Sequence, residues 1–211
     1  MASVIILENV NKKFDDTNVI SDFNLHVKRN EMVAIAGQSG AGKTTLLNII
    51  GLIEKPTSGN ITICGIKNPK LNSKYGIRLL RYNIGYLFQN YALVDDETVD
   101  FNLNLALKFV KTNDKRKVKE EALQTVGLSG FENKKIYKLS GGEQQRIAIA
   151  RLLVKPCELI LADEPTGSLD NENRNKILDL LDELKHQGKT ILLVTHDDVV
   201  KKRCDRVIEI H

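Results

Sequence analysis

Apolar residues recur along this chain in two rhythms. Met32 to Ala36, Leu159 to Ala162 and Thr190 to Val194 are short runs with little polar interruption, as strands buried on both faces of a sheet require. Longer stretches such as Lys43 to Leu52 and Glu172 to His186 place their apolar residues at helical spacing. Short strands alternating with helices predict an α/β core. The early stretch reads differently: Val4 to Val10, Val19 to Val27 and Asn60 to Cys64 are strand-like, with turn residues between them, and predict an antiparallel β-lobe. Between Tyr91 and Ile149 the strand pattern disappears, and Val99 to Val110, Arg116 to Val126 and Gly142 to Val154 read as helices. Gly127 is a plausible stop, and Ser140-Gly141-Gly142-Glu143 a start. The predicted plan is one domain over 1–211, with a core and β-lobe from 1–90 and 155–211 and a helical subdomain over about 91–154.

At 211 residues the chain is long enough for one well-buried core. Apolar residues make up 42% and charged ones 27%, with no low-complexity tract, which excludes a disordered chain. The longest apolar runs, such as Val4 to Leu7, are far shorter than the ~20 residues of a membrane-crossing helix. No basic segment precedes Val4 to Leu7 and Glu8 ends it, so no signal peptide is read and a cytoplasmic location is expected. Cys64, Cys157 and Cys204 are odd in number and widely spaced, unlike a disulfide framework or a zinc site. Net charge is a modest +4, and the dense basic stretch Lys111 to Lys119 reads as a solvated face, so no nucleic-acid partner is expected.

Candidate chemistry begins at Gly37-Gln38-Ser39-Gly40-Ala41-Gly42-Lys43-Thr44, which fits the P-loop pattern, follows an apolar strand and opens a helix. Glycines let backbone N–H groups approach phosphate oxygens, and the helix N-terminus adds partial positive charge. Lys43 supplies a point charge for the β- and γ-phosphates, Thr44 a hydroxyl for Mg²⁺, and Thr45 a further phosphate contact. Leu159 to Ala162 ends in Asp163 and Glu164, and charge at the carboxyl end of a buried central strand falls where open α/β sheets keep their ligands. Asp163 is read as a Mg²⁺ holder through water and Glu164 as the general base.

Leu139-Ser140-Gly141-Gly142-Glu143-Gln144-Gln145-Arg146 resembles the signature motif of ABC-transporter ATPases. A Ser and two glycines at a helix start form a second anion site, although the P-loop already holds one set of phosphates. The resemblance implies head-to-tail pairing in an ATP-dependent homodimer, in which Ser140 and Gly142 of one copy cover the γ-phosphate on the other's P-loop. It also implies a Q-loop at Gln89, sensing Mg²⁺ and the attacking water, a D-loop at Ser168-Leu169-Asp170 and a switch histidine at His196. Phe14 stands where relatives stack an aromatic, commonly Tyr, on adenine. Phe keeps the stacking face without the hydroxyl, so loose base selectivity with GTP as a substitute is expected, and the competing reading packs Phe14 in the β-lobe. The implied fold is a P-loop NTPase core of mostly parallel sheet flanked by helices, with an antiparallel β subdomain and an inserted α-helical one.

The resemblance runs from about Val4 to Ile210. Thr45 to Gly51, Gly85 to Tyr91 and Ala162 to Asp170 look like the bacterial branch serving macrolide efflux, lipoprotein release, bacteriocin export and cell division. That branch implies ATP and Mg²⁺ as ligands, a peripheral position at the inner membrane face, and a membrane subunit docking near Gln89 to Asp96. Export of a peptide, lipoprotein or antibiotic is the leading expectation. Mechanical regulation of an extracytoplasmic partner and solute import stay open. A soluble repair or translation ATPase is disfavoured, since no long coiled coil or second ATPase half is present.

Overall fold

The computed structural model describes residues 3–167 and 169–210. Its early part is a sheet of order β2-β1-β4-β5, built from β1 (Ser3–Phe14), β2 (Thr17–Lys28), β4 (Ser58–Ile63) and β5 (Ile66–Lys67), with every pair antiparallel. The second sheet has the order β6-β7-β8-β3-β9 and is parallel throughout. Its strands are β3 (Met32–Gly37), β6 (Ile84–Leu87), β7 (Leu159–Asp163), β8 (Thr190–Val194) and β9 (Arg206–Ile210). Every residue of β7 and β8 is buried, which is why these strands read as unbroken apolar runs.

Successive side chains of a strand point to opposite faces, and that alternation sorts the core into two layers. Ile160, Ala162, Ile191 and Leu193 pack toward the helical side, against Ile147 and Ala148 of α5 (Gly141–Val154) and Leu178 and Leu181 of α6 (Asn171–His186). Leu159, Leu161, Leu192 and Val194 face the other way, toward Leu46, Leu47 and Ile50 of α1 (Lys43–Ile50) and the inner residues of the β-lobe. Between β6 and β7 the chain is helical: α3 (Val99–Ala106), a 3-10 turn (Leu107–Phe109), α4 (Lys115–Thr125), a second 3-10 turn (Ile136–Lys138) and α5.

Among the strands and α-helices, four fall outside the pattern read from the sequence: the two-residue β5, α2 (Lys74–Tyr82), α7 (Asp198–Arg203) and β9. Of these, α7 buries only Val200 and β9 only Ile210, too little to leave a periodic signal, whereas α2 is amphipathic and buries Gly76 and Leu79 but is shorter than the roughly 11–18-residue span over which helical rhythm is read. The basic stretch Lys111 to Lys119 enters α4, where Arg116 pairs with Glu120 at 2.7 Å, Lys117 reaches Glu121 at 3.9 Å and Lys119 bonds Asp100. All three cysteines are free, and burial pushes each thiol above its ordinary pKa, which disfavours the thiolate form. Among the described residues, no helix is long and apolar enough to cross a membrane.

Leu161 is fully buried in the strand that carries the acidic pair. Leu161→Ala is expected to cost about 3 kcal/mol, through lost burial and a residual cavity, read as a lower urea midpoint. A loss below about 1 kcal/mol would show that this layer repacks freely.

Candidate active site

The loop from β3 to α1 crosses the top of the sheet, and α1 begins on Gly42 with φ 85°. A Cβ there would stand 2.8 Å from the Val19 carbonyl oxygen, so only glycine fits both the backbone and the space. The helices α2 to α7 each start on a side-chain cap, supplied by Ser73, Thr98, Asp114, Ser140, Asp170 and Asp197. By contrast α1 has no capping side chain and no acid in its first turn, so no side chain caps its first N–H groups at the positive end of its dipole. That is the requirement for binding phosphate.

Lys43 Nζ donates to the carbonyls of Gly37 at 2.8 Å and Gln38 at 2.7 Å, which folds the ammonium back over its own loop. Thr44 Oγ1 donates to Asp163 Oδ1 at 3.2 Å. Burial pushes the Asp163 carboxyl above its ordinary pKa, the neighbouring Glu164 adds to the rise, and the Thr44 hydroxyl and Lys43 oppose it. Glu164 adopts φ 44°, a left-handed conformation that a non-glycine residue rarely takes, and its N–H donates to the Val194 carbonyl at 3.0 Å. The kink lifts the carboxylate off the strand axis, where Glu164 Oε1 lies 2.8 Å from His196 Nδ1. Ser39, Gly40, Gly42, Lys43, Thr44, Thr45, Gln89, Asp163 and Glu164 line one open cavity of about 340 Å³, together with Val19 and Val194.

Other candidates stand elsewhere. Gly37, Gln38 and Ala41 shape the loop without lining this cavity, and His196 reaches it through Glu164. Phe14 ends β1, 43% exposed, with the Lys12 ammonium 4.4 Å from its ring centre, so it is not part of the β-lobe core. Ser140 caps α5 in a reciprocal box: its hydroxyl accepts from the Glu143 N–H at 3.3 Å, and the Glu143 carboxylate accepts from the Ser140 N–H at 2.7 Å and its hydroxyl at 2.9 Å. The backbone bond from Ser140 holds the Glu143 carboxyl below its usual range. The start of α5 therefore already binds one anion, from its own chain. Asp170 caps α6 by accepting from the Asn173 N–H at 2.9 Å and its side-chain amide at 2.7 Å. Ser168 lies outside the described residues.

Four polar residues missed by sequence reasoning tie these pieces together. Gln145 Nε2 donates to the Pro165 carbonyl at 2.6 Å, joining α5 to the turn after Glu164. Arg146 donates to Asn173 Oδ1 at 2.9 Å, and Gly142 lies so near Asn173 that a Cβ would stand 2.8 Å from its amide. Arg151 donates to the carbonyls of Tyr91 and Ala92, clamping the loop after Gln89 to the same helix. The available signal was polar side chains on the otherwise apolar face of α5.

A phosphate-ready helix start behind a glycine loop, facing two acids at the end of a central parallel strand, defines a P-loop nucleoside-triphosphatase. The chain matches the ABC transporter family over residues 20–167, more than half its length. It is 41% identical to the macrolide export ATP-binding/permease protein MacB of Bartonella henselae, over 99% of this chain and 32% of that protein. It is 36% identical to the lipoprotein-releasing system ATP-binding protein LolD 1 of Rhodopseudomonas palustris, over 100% of this chain and 97% of that one. A solved dimeric post-hydrolysis state of the ATP-binding cassette MJ0796, bound to ADP and Pi, superposes with a TM-score of 0.88 at 38% identity, over 98% of this chain and 94% of that chain. The chain belongs to the ABC transporter family, as an ATPase cassette. It spans about a third of the length of the macrolide-export relatives it matches.

The raised pKa of Asp163 sets a sign for stability. A folded pKa above the unfolded value of ~3.9 favours folding only where the group is protonated, and that contribution fades as pH rises through the folded pKa. At neutral pH the ionised carboxylate is therefore a cost to the fold. Asp163→Asn keeps an acceptor for Thr44 and is expected to raise the melting temperature of the nucleotide-free protein at pH 7 while abolishing ATP hydrolysis. A lower melting temperature would contradict that electrostatic account.

Proposed function

We propose that this chain is the ATP-hydrolysing motor of a bacterial membrane complex that exports a peptide, lipoprotein or antibiotic, working as a head-to-tail dimer at the cytoplasmic face. One observation carries the reading: the P-loop and both acids share a cavity, while Ser140 and the glycines beside it stand outside it on the same chain. A second copy related by two-fold symmetry would bring its Ser140 helix start over the first copy's phosphates. The dimeric state of the solved cassette MJ0796 supports pairing of two copies.

In this reading the first-turn N–H groups of α1 and Lys43 bind the phosphates. Glu164 takes the proton of the attacking water, and His196, at 2.8 Å, orients its carboxylate and contacts the γ-phosphate. Among the described residues no group of three or more His, Cys, Asp or Glu forms a metal cage. The hard-oxygen pair of Thr44 and Asp163, with Gln89 beside it, suits Mg²⁺, which takes few protein ligands and completes its shell from phosphate and water. Bound there, the ion would neutralise charge developing on the β- and γ-phosphates. Phe14 offers adenine a stacking face and no hydrogen bond, so GTP is accepted as well.

The membrane subunit docks around the loop after Gln89. Exposed Val94, Phe101, Leu105 and Tyr137 gather there, held by Asn102, whose Oδ1 accepts from the Val94 N–H at 2.8 Å, and by the Tyr137 N–H donating to Asp95 at 3.2 Å. Arg151 ties that loop to α5, so movement of the Ser140 helix is transmitted to the docking face. Export and lipoprotein release are favoured as tasks by the names of the relatives at 41% and 36% identity.

Glu164→Gln tests the chemistry. Turnover is expected to fall by about 10²–10⁴-fold while ATP still binds, and size-exclusion chromatography with ATP should show a persistent dimer. Hydrolysis near the wild-type rate would remove Glu164 as the base.

A further inference from the structure

From Lys55 to Val94 the chain contains no Asp or Glu and six cations: Lys55, Lys67, Lys70, Lys74, Arg78 and Arg81. The whole chain has 31 Lys and Arg against 27 Asp and Glu, so outside this segment 25 cations face 27 anions, a net of −2. The protein's net positive charge thus resides in one 40-residue segment.

The structure puts these six side chains on the surface, and among the described residues none forms an ion pair. On α4, by contrast, Arg116, Lys117 and Lys119 are each matched by an acid. Lys74, Arg78 and Arg81 follow one another at helical spacing along α2, which Ser73 caps by accepting from the Gly76 N–H at 3.0 Å. Interleaved with them are Leu71, Tyr75, Ile77 and Tyr82, each between 39% and 61% exposed. Lys55, Lys70 and Leu71 line an open notch of about 270 Å³ together with Glu54, whose carboxylate is taken up by Lys12 at 2.8 Å, and the Ser73 hydroxyl donates to the Lys70 carbonyl at 2.7 Å, which joins this loop to the start of α2.

We propose that this face, α2 with the Lys67 to Leu71 loop, is a docking surface for the anionic phospholipid headgroups of the membrane beside which the ATPase works. Unpaired cations supply attraction to a negative surface, and exposed tyrosine and aliphatic side chains supply the amphipathic contact that favours a headgroup layer over a purely charged polymer. Each cation near such a surface contributes about a fivefold gain in binding. The inference leans on the membrane-side reading above but needs neither nucleotide nor partner. Its failure would leave the hydrolysis result standing, and failure of the Glu164→Gln test would leave the lipid result standing.

The test is co-sedimentation of the full chain, without nucleotide, with vesicles of phosphatidylcholine alone and of phosphatidylcholine containing phosphatidylglycerol. Binding is expected only to the anionic vesicles, weakening as salt rises. The combined Lys70→Glu, Lys74→Glu and Arg78→Glu variant should bind at least about 100-fold more weakly while keeping wild-type melting and ATP hydrolysis. If that variant does not fold, Lys74→Gln with Arg78→Gln should still weaken binding by about 25-fold. Equal binding to neutral vesicles, no binding to either, unchanged binding by a folded variant, or binding to single-stranded DNA without binding to anionic vesicles would each overturn the proposal.

Discussion

Thr44 and Asp163 stand 119 residues apart in the chain and meet at 3.2 Å. That hydrogen bond joins the first turn of α1 to the end of β7, and the rest of the site depends on it. It forms because β3 and β7 both run parallel to β8, from opposite sides, so a helix leaving β3 opens beside the acids that close β7. A parallel sheet buried on both faces has only its strand ends in which to place charge, and these ends gather the P-loop, Gln89, Asp163, Glu164 and His196. Desolvating Asp163 works against the fold at neutral pH, so the site sets local stability against the need for a hard anionic ligand beside phosphate.

The central sheet was legible from sequence because its strands are apolar on both faces and few other patterns look like that. Lys43, Thr44, Asp163 and Glu164 were legible for the same reason, each sitting immediately after such a strand or opening its helix. The wiring between motifs was not. Gln145, Arg146, Arg151 and Asn173 are ordinary polar residues whose partners lie 20 to 60 positions away, and no local rhythm records such a pairing. The dense cations of Lys111 to Lys119 read as a solvated face, and in the structure Arg116, Lys117 and Lys119 are each matched by an acid. Cation density does not reveal the sparser run from Lys55 to Val94, which carries six cations and no acid in the same stretch of chain.

One helix carries most of the long-range consequences. Ser140 and Glu143 close its start, Gln145 holds it to the turn after Glu164, Arg146 holds it to α6 through Asn173, and Arg151 holds it to the loop after Gln89. With Gly142 pressed against Asn173, α5 has little freedom to shift without moving α6 and the Gln89 loop with it. Such an element is suited to converting closure over a nucleotide into movement at a surface on the far side of the helical segment.

The central claim is that a complete site draws its P-loop from one copy and its Ser140 helix start from another. Mixing two inactive variants, Lys43→Ala and Ser140→Arg, tests it directly. In a head-to-tail heterodimer one site carries both lesions and the other carries neither, so the mixture should regain ATP hydrolysis that neither variant shows alone. A mixture as inactive as its components, under conditions where the heterodimer demonstrably forms, would contradict the shared site.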